Sequence, residues 1–260
     1  MTLDYYDQVD VDEWLEKLEF WHDPFPTPVL EKINGITVVR DDLIGVGSKA
    51  RFADYLVKTT LQDEIVYTGA TPVGWGPISL AYLCQKYKKT AVVFAAKRNE
   101  PTWHQKEAMK YGAKFIWLNM GMLNVCKARG KAYVAENPEN RIEIPIGLEH
   151  WSVLGSIVKV ARNLNINPKE IWTVGSSGTL NRGLQLAFPD AKSNVVQTGH
   201  SMSEREIGNA TRYISPYKFD KKTKSPPPFE SALEYDAKCW EFIEKHASKK
   251  SSTLFWNVAG

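Results

Sequence analysis

Short runs of β-branched and aliphatic residues recur between residues 36 and 195, and the stretches between them carry apolar residues at three- and four-residue steps. The runs ITVVR (36–40), EIVYTG (64–69), TAVVFAA (90–96), KFIWLN (114–119), EIWTVG (170–175) and SNVVQTG (193–199) read as strands. PISLAYLCQKY (77–87), TWHQKEAMKYG (102–112) and WSVLGSIVKVARNL (151–164) read as helices, with Pro77 and Pro101 in first-turn positions and Gly112 where a helix stops. Strands alternating with helices predict an α/β fold built on a mostly parallel sheet.

Beyond residue 199 the pattern changes. HSMSEREIGNATRYISPYKFDKKTKSPPPFES (200–231) is polar and proline-rich, without sustained periodicity, and reads as a mobile loop or lid. A helix over YDAKCWEFIEKHA (235–247) and a strand over TLFWNVAG (253–260) follow it.

Composition narrows the function classes. The chain has 260 residues, 43% hydrophobic, enough for a sizeable core. Its net charge of +3 is spread among nearly as many acids, so no basic stripe marks a nucleic-acid face. Cys84, Cys126 and Cys239 lie far apart without zinc-site spacing, so no metal is expected and the thiols are read as reduced. The acidic N-terminus is unlike a signal peptide, and no apolar run reaches the roughly 20 residues of a membrane span. A soluble, cytoplasmic protein with no membrane partner is expected.

Two segments could carry chemistry. In EIWTVGSSGTLNRGLQLAF (170–188) a strand runs into Gly175-Ser176-Ser177-Gly178-Thr179 and then a helix. Such a turn aims backbone N–H groups and hydroxyls at one point, an anion site suited to phosphate; it is neither G-x-G-x-x-G nor a P-loop. In RDDLIGVGSKARFADYL (40–56) Lys49 sits between a Gly-rich turn and an amphipathic run. If both loops lie at the carboxyl ends of parallel strands, the lysine shares a crevice with the anion site, where burial can turn its amine into a nucleophile toward carbonyls. The alternatives are a solvated helix-start lysine and a plain tight connection.

The segments PTPVLEKINGITVVRDDLIGVGSKARFADYL (26–56), TGATPVGWGPISLAYL (68–83), the 175–179 turn, and EYDAKCWEFI with LFWNVAG (234–260) stand in the order and spacing of one family. From about Phe25 to Gly260 the chain resembles the fold type II enzymes that use pyridoxal 5′-phosphate, the tryptophan synthase β-like group. Within it, the chain is most similar to the aminocyclopropane-carboxylate (ACC) deaminase and D-cysteine desulfhydrase branch. The resemblance implies open, mostly parallel twisted sheets with helices on both faces. It implies one unit over 1–260, with an N-terminal helical segment (1–24), a smaller subdomain over about 60–150, and a larger one from the remainder. It also implies that Lys49 holds the cofactor as a Schiff base and that Gly175, Ser176, Ser177, Gly178 and Thr179 cup its phosphate. Asp236 would face the pyridine nitrogen, and Tyr235 would act as acid, base or nucleophile. The alternative readings are an early-turn helix acid for Asp236 and a packing residue for Tyr235.

The chain also departs from the family. Where the family has a Ser-Asn-His-type loop, this chain has Ala70-Thr71-Pro72-Val73-Gly74-Trp75-Gly76, leaving Thr71 and the backbone as donors. His104 reads as a surface residue, and His150 lies near the position of the family's substrate loop.

The expected function is a pyridoxal-phosphate-dependent lyase, acting through an external aldimine on an amino acid or amino-acid-like group, by deamination or elimination or by decarboxylation. One alternative is a decarboxylase of an aminoacyl group on a larger molecule such as a modified nucleotide, suggested by the altered loop, the many tryptophans and Lys218, Lys221, Lys222 and Lys224. Another is a non-catalytic binder of the cofactor or a phosphate ligand. The expected partner is a small-molecule amine, and the expected assembly a homodimer.

Overall fold

A computed structural model describes residues 9–199 and 201–260. In chain order the elements are α1 (Val11–Lys17), β1 (Val29–Ile33), β2 (Ile36–Arg40), α2 (Lys49–Phe52), α3 (Asp54–Thr59), β3 (Glu64–Tyr67), α4 (Gly76–Lys86), β4 (Thr90–Ala96), α5 (Trp103–Lys110) and β5 (Lys114–Leu118). They continue with α6 (Leu123–Ala135), β6 (Arg141–Ile144), α7 (Trp151–Asn163), β7 (Glu170–Gly175), α8 (Thr179–Ala187), β8 (Lys192–Gln197), α9 (Glu204–Ile207), β9 (Thr211–Ile214), α10 (Trp240–His246) and β10 (Thr253–Asn257). Short 3₁₀ turns include Asp41–Ile44, Ile146–Leu148 and Asp236–Cys239.

The strands form two sheets. The larger has the order β1-β2-β10-β7-β8-β9 and the smaller β5-β4-β3-β6. Every pairing is parallel except β1 with β2, an antiparallel hairpin at one edge. Both faces of the larger sheet are covered, as parallel strands require. Because side chains alternate along a strand, Leu254 and Trp256 enter one core with Val153 and Ile157 of α7 and Leu184 of α8. Phe255 points the other way, to Trp172, Trp240 and Ile243. The smaller sheet repeats this: Ile65 and Val93 pack with Ile78 and Leu80 of α4, while Val66, Val92 and Phe94 pack with Cys126 of α6.

The six strands expected from the pattern between 36 and 195 are present, as are the helices near 77–87, 102–112 and 151–164. Thr102 caps α5 in a capping box with Gln105. The structure adds α6 and β6 within 120–150, and α9 and β9 within the polar 200–231 segment. β9 pairs with β8 as an edge strand, so backbone ladder bonds hold it there without an apolar repeat of its own. The expected helix over 235–247 opens as a 3₁₀ turn and becomes α-helical from Trp240, and the last strand ends at Asn257. α1 lies within the expected N-terminal helical segment, of which residues 1–8 are outside the described residues, as is His200 of the loop segment. The three cysteines are free and buried. Among the described residues no helix is long and apolar enough to cross a membrane, and no His, Cys, Asp and Glu cluster could hold a metal ion.

Candidate active site

The carboxyl ends of β2, β6, β7 and β10 converge on one small cavity. Ser48, Lys49, Gly147, Val174, Ser177, Gly178, Thr179, Tyr235 and Val258 are among the residues lining it. Open α/β sheets bind ligands where the carboxyl ends of their strands leave such a crevice.

Lys49 enters from the turn after β2. Two bonds fix that turn: the Ser48 N–H donates to the Val258 carbonyl at 3.0 Å, and the Ser79 hydroxyl of α4 donates to the Val46 carbonyl at 2.6 Å. Elements around both sheets thus hold the lysine in place. Burial pushes its amine below the usual lysine value, and the Asp236 carboxylate opposes that shift.

Asp236 opens the 3₁₀ turn ahead of α10 and is 1% exposed. Burial holds its carboxyl well above the usual aspartate value, and Asp42 adds to the shift. The Lys49 charge and the backbone N–H groups of Val258 and Ala259 act against it. Its Oδ2 is buried without a hydrogen-bond partner, an arrangement that costs free energy unless a ligand supplies a donor.

The 175–179 segment forms a tight strand-to-helix turn. β7 is wholly buried and delivers the chain to Ser176, Ser177 and Gly178, after which α8 begins at Thr179. Gly178 precedes that first turn with φ +73°, and a Cβ there would collide with the Glu206 carbonyl. The first-turn N–H groups of α8 have no partner further back in the helix and face the cavity with the positive end of its dipole. The Ser177 and Thr179 hydroxyls lie 3.4 Å apart beside them.

Tyr235 closes the side between these groups. Its hydroxyl lies 3.4 Å from the Val174 carbonyl and receives a bond from the Ser176 backbone. Burial, with the Asp236 and Tyr67 charges, pushes the phenol up, and the Ser176 bond opposes this.

Lys49, Ser177, Gly178, Thr179 and Tyr235 therefore line one cavity, with Asp236 electrostatically coupled to Lys49. Gly175 and Ser176 immediately precede this lining and are not among its residues. Thr71 is outside it: its hydroxyl is buried without a partner, at the distance an added Cβ on Gly74 would approach to 2.7 Å. His104 is half-buried rather than on the surface, its ring 5.5 Å from Trp75 and 5.0 Å from Trp103. His150 caps α7 through its side chain, which accepts from the Ser152 N–H. Burial lowers its pKa to about 4.

The pattern reading missed Tyr67 and Gly147. Burial raises the Tyr67 phenol to about 12 against a bond from the Gly147 backbone, and Tyr67 acts in turn on Tyr235. Gly147 has φ +78°, and a Cβ there would meet the Ser177 hydroxyl. No local motif announces either: Tyr67 ends an ordinary strand run, and Gly147 sits in IEIPIGLEHW, where only its apposition to Ser177 gives it a role.

The chain has a tryptophan synthase β-like α/β fold. A solved structure of an ACC deaminase homologue superposes with a TM-score of 0.75 at 15% identity, over 95% of this chain and 94% of the other. Threonine deaminase isoform 2 of Solanum lycopersicum, in its processed form, gives a TM-score of 0.71 at 10% identity, over 96% and 90%. A pyridoxal 5′-phosphate-dependent aspartate racemase gives 0.56 at 13% identity, over 95% and 78%. No protein-family model matches the sequence, and no curated protein sequence matches it.

Proposed function

We propose that this chain is a pyridoxal-phosphate-dependent lyase acting on a small amino acid or amino-acid-like amine. The observation that carries the reading is that Lys49 and the start of α8 line one cavity, with Asp236 buried and electrostatically coupled to Lys49. These residues fit the cofactor. The buried, unpartnered Oδ2 of Asp236 suits the N–H of a protonated pyridine ring. The open first turn of α8, with the Ser177 and Thr179 hydroxyls, suits a phosphate dianion.

When bound, pyridoxal phosphate supplies an electron sink for charge developed at the carbon next to the substrate nitrogen. The chain's own residues supply the rest. Lys49, its amine pushed down by burial, offers a neutral nitrogen at lower pH than an ordinary lysine and can take and return a proton there. Asp236 would face the ring nitrogen. Gly178, Ser177 and Thr179 would hold the phosphate, and the Tyr235 hydroxyl holds a proton beside Ser176.

Deamination or elimination is the leading reaction. Decarboxylation is the second reading, favoured by the 70–76 segment, where Thr71 is the one hydroxyl side chain beside Val73 and Trp75. A homodimer is the proposed assembly. The test is an absorbance spectrum of purified protein with added pyridoxal phosphate, for wild type and Lys49→Ala. A visible band in wild type, reducible by borohydride and missing in the variant, is expected. No band in either overturns the reading.

A further inference from the structure

Lys238 is a lysine with no exposed surface, two residues beyond Asp236 and outside the chemistry just described. Its ammonium donates to the Thr198 hydroxyl at 3.1 Å, the Lys218 carbonyl at 2.9 Å and the Phe219 carbonyl at 3.2 Å. An ammonium has three protons, and all three are used. Two of its acceptors belong to the polar segment after β9, whose side chains at Lys218, Asp220, Lys221 and Lys222 are exposed.

That segment is tied at both ends by backbone bonds. The Ser215 N–H donates to the Gln197 carbonyl at 3.0 Å, and the Thr223 N–H donates to the Leu233 carbonyl at 2.9 Å. Between them, at 216–222, the chain turns back on itself through a Lys221 N–H to Lys218 carbonyl bond of 3.0 Å. Lys238 is the bond from the protein interior to the middle of that turn.

Phe219 shows what the bond positions. Its ring lies 6.0 Å from the Tyr235 ring and 5.9 Å from the Lys238 ammonium. It also fills the space beside Gly199, where a Cβ would approach it to 2.9 Å and would stand 3.5 Å from the Ser176 hydroxyl. Phe219 thus packs between Tyr235 and Gly199.

We propose that Lys238 is a positioning residue that pins the 216–222 turn, and through Phe219 sets the Tyr235 ring in the cofactor cleft. The catalytic part of this inference rests on the lyase reading; the pinning does not. Burial lowers the Lys238 pKa to about 8, with the Glu234 and Asp220 carboxylates drawing the other way. The cost of burying this amine is offset by its three acceptors, the Thr198 hydroxyl and the Lys218 and Phe219 carbonyls.

The test is hydrogen exchange of peptides over 216–222 in the full chain without added ligand, followed by titration with pyridoxal phosphate. Lys238→Met keeps the volume and removes the donors; Thr198→Val removes one acceptor and is the milder change. Exchange over 216–222 is expected to rise roughly tenfold or more in Lys238→Met and less in Thr198→Val, the peptides of β7 and β10 staying at wild-type rates. Pyridoxal phosphate should also bind several-fold more weakly to Lys238→Met. Wild-type exchange over 216–222 in a folded Lys238→Met protein overturns the inference. Should Lys238→Met fail to fold, unchanged exchange in Thr198→Val overturns it. Faster local exchange with no cofactor binding in wild type leaves the pin standing and removes the lyase reading. Faster exchange with unaltered cofactor affinity overturns the positioning role.

Discussion

Lys49 and Asp236 share one buried site, and burial pushes both away from their charged forms while each charge partly restores the other. The two groups therefore titrate as a coupled pair. For Asp236 the folded value lies above the ordinary 3.8, so the folded state binds more protons than the unfolded one as pH rises past that value. Stability is lost with rising pH across that window. Asp236→Asn removes this penalty. Its melting temperature relative to wild type is expected to climb as pH rises from 4 upward, measured by thermal melts across a pH series. Under the proposed lyase reading, cofactor chemistry should also fall in the same variant. A gap in melting temperature that does not change with pH would show that the carboxyl is not held above its ordinary value.

The 175–179 turn separates backbone shape from donor chemistry. Ser177→Ala removes one hydroxyl at the cavity and leaves the turn intact, so pyridoxal phosphate affinity should weaken about 3- to 10-fold with little change in stability. Gly178→Ala places a Cβ against the Glu206 carbonyl at φ +73°. That change should cost about 2–4 kcal/mol in denaturant unfolding, since it combines left-handed strain with a backbone collision. Equal effects from the two changes would mean that the Ser177 hydroxyl supports the turn rather than the ligand.

Gly147 tests the contribution of the smaller sheet. It stands at φ +78° in the 3₁₀ turn after β6, and a Cβ there would strike the Ser177 hydroxyl. Gly147→Ala should therefore displace Ser177 and weaken pyridoxal phosphate binding more than Ser177→Ala does. An affinity equal to wild type would show that Ser177 moves without consequence for the ligand.

How far the sequence discloses these features follows from how local their causes are. Strands such as Glu170–Gly175 are continuous apolar runs because both faces are covered, and that is visible in one window of sequence. Lys49 and the 175–179 turn are likewise legible, since a Gly-rich break between strand and helix is a local signal. β9 is not, because its residues owe their conformation to the ladder with β8. β1 shows only a faint alternation, VLEKI, although the Asn34-Gly35 turn that follows is a strong hairpin signal. Tyr67 and Lys238 gain their positions only when distant segments meet: Lys238 touches carbonyls 19 and 20 residues away and a hydroxyl 40 residues away. Thr71 shows the reverse, a residue matched by alignment that the fold leaves outside the lining.

The turn that carries Lys49 is braced by a buried charge network, which yields the last prediction. Arg51, 2% exposed, donates through Nε to Asp41 at 3.0 Å, pairs with Asp23, and donates to the Pro26 carbonyl at 2.8 Å. The Trp256 indole N–H donates to the second oxygen of Asp41 at 3.1 Å, linking the brace to β10. Burial raises Asp41 to about 6, while Arg51 and Trp256 hold it down. Arg51→Met leaves the Asp41 carboxylate buried without its cation, so stability at neutral pH should fall by about 3–5 kcal/mol. The folded pKa of Asp41 then rises further, and the unfolded state keeps the ordinary value of 3.8. The folded state of the variant consequently holds its extra proton over a wider range, and its deficit should shrink as pH falls from neutral toward about 6 and level off below it. Urea unfolding of wild type and Arg51→Met at a series of pH values measures that deficit. A deficit independent of pH would assign the loss to packing against Phe25, which the Arg51 guanidinium covers at 5.6 Å, rather than to the uncompensated carboxylate.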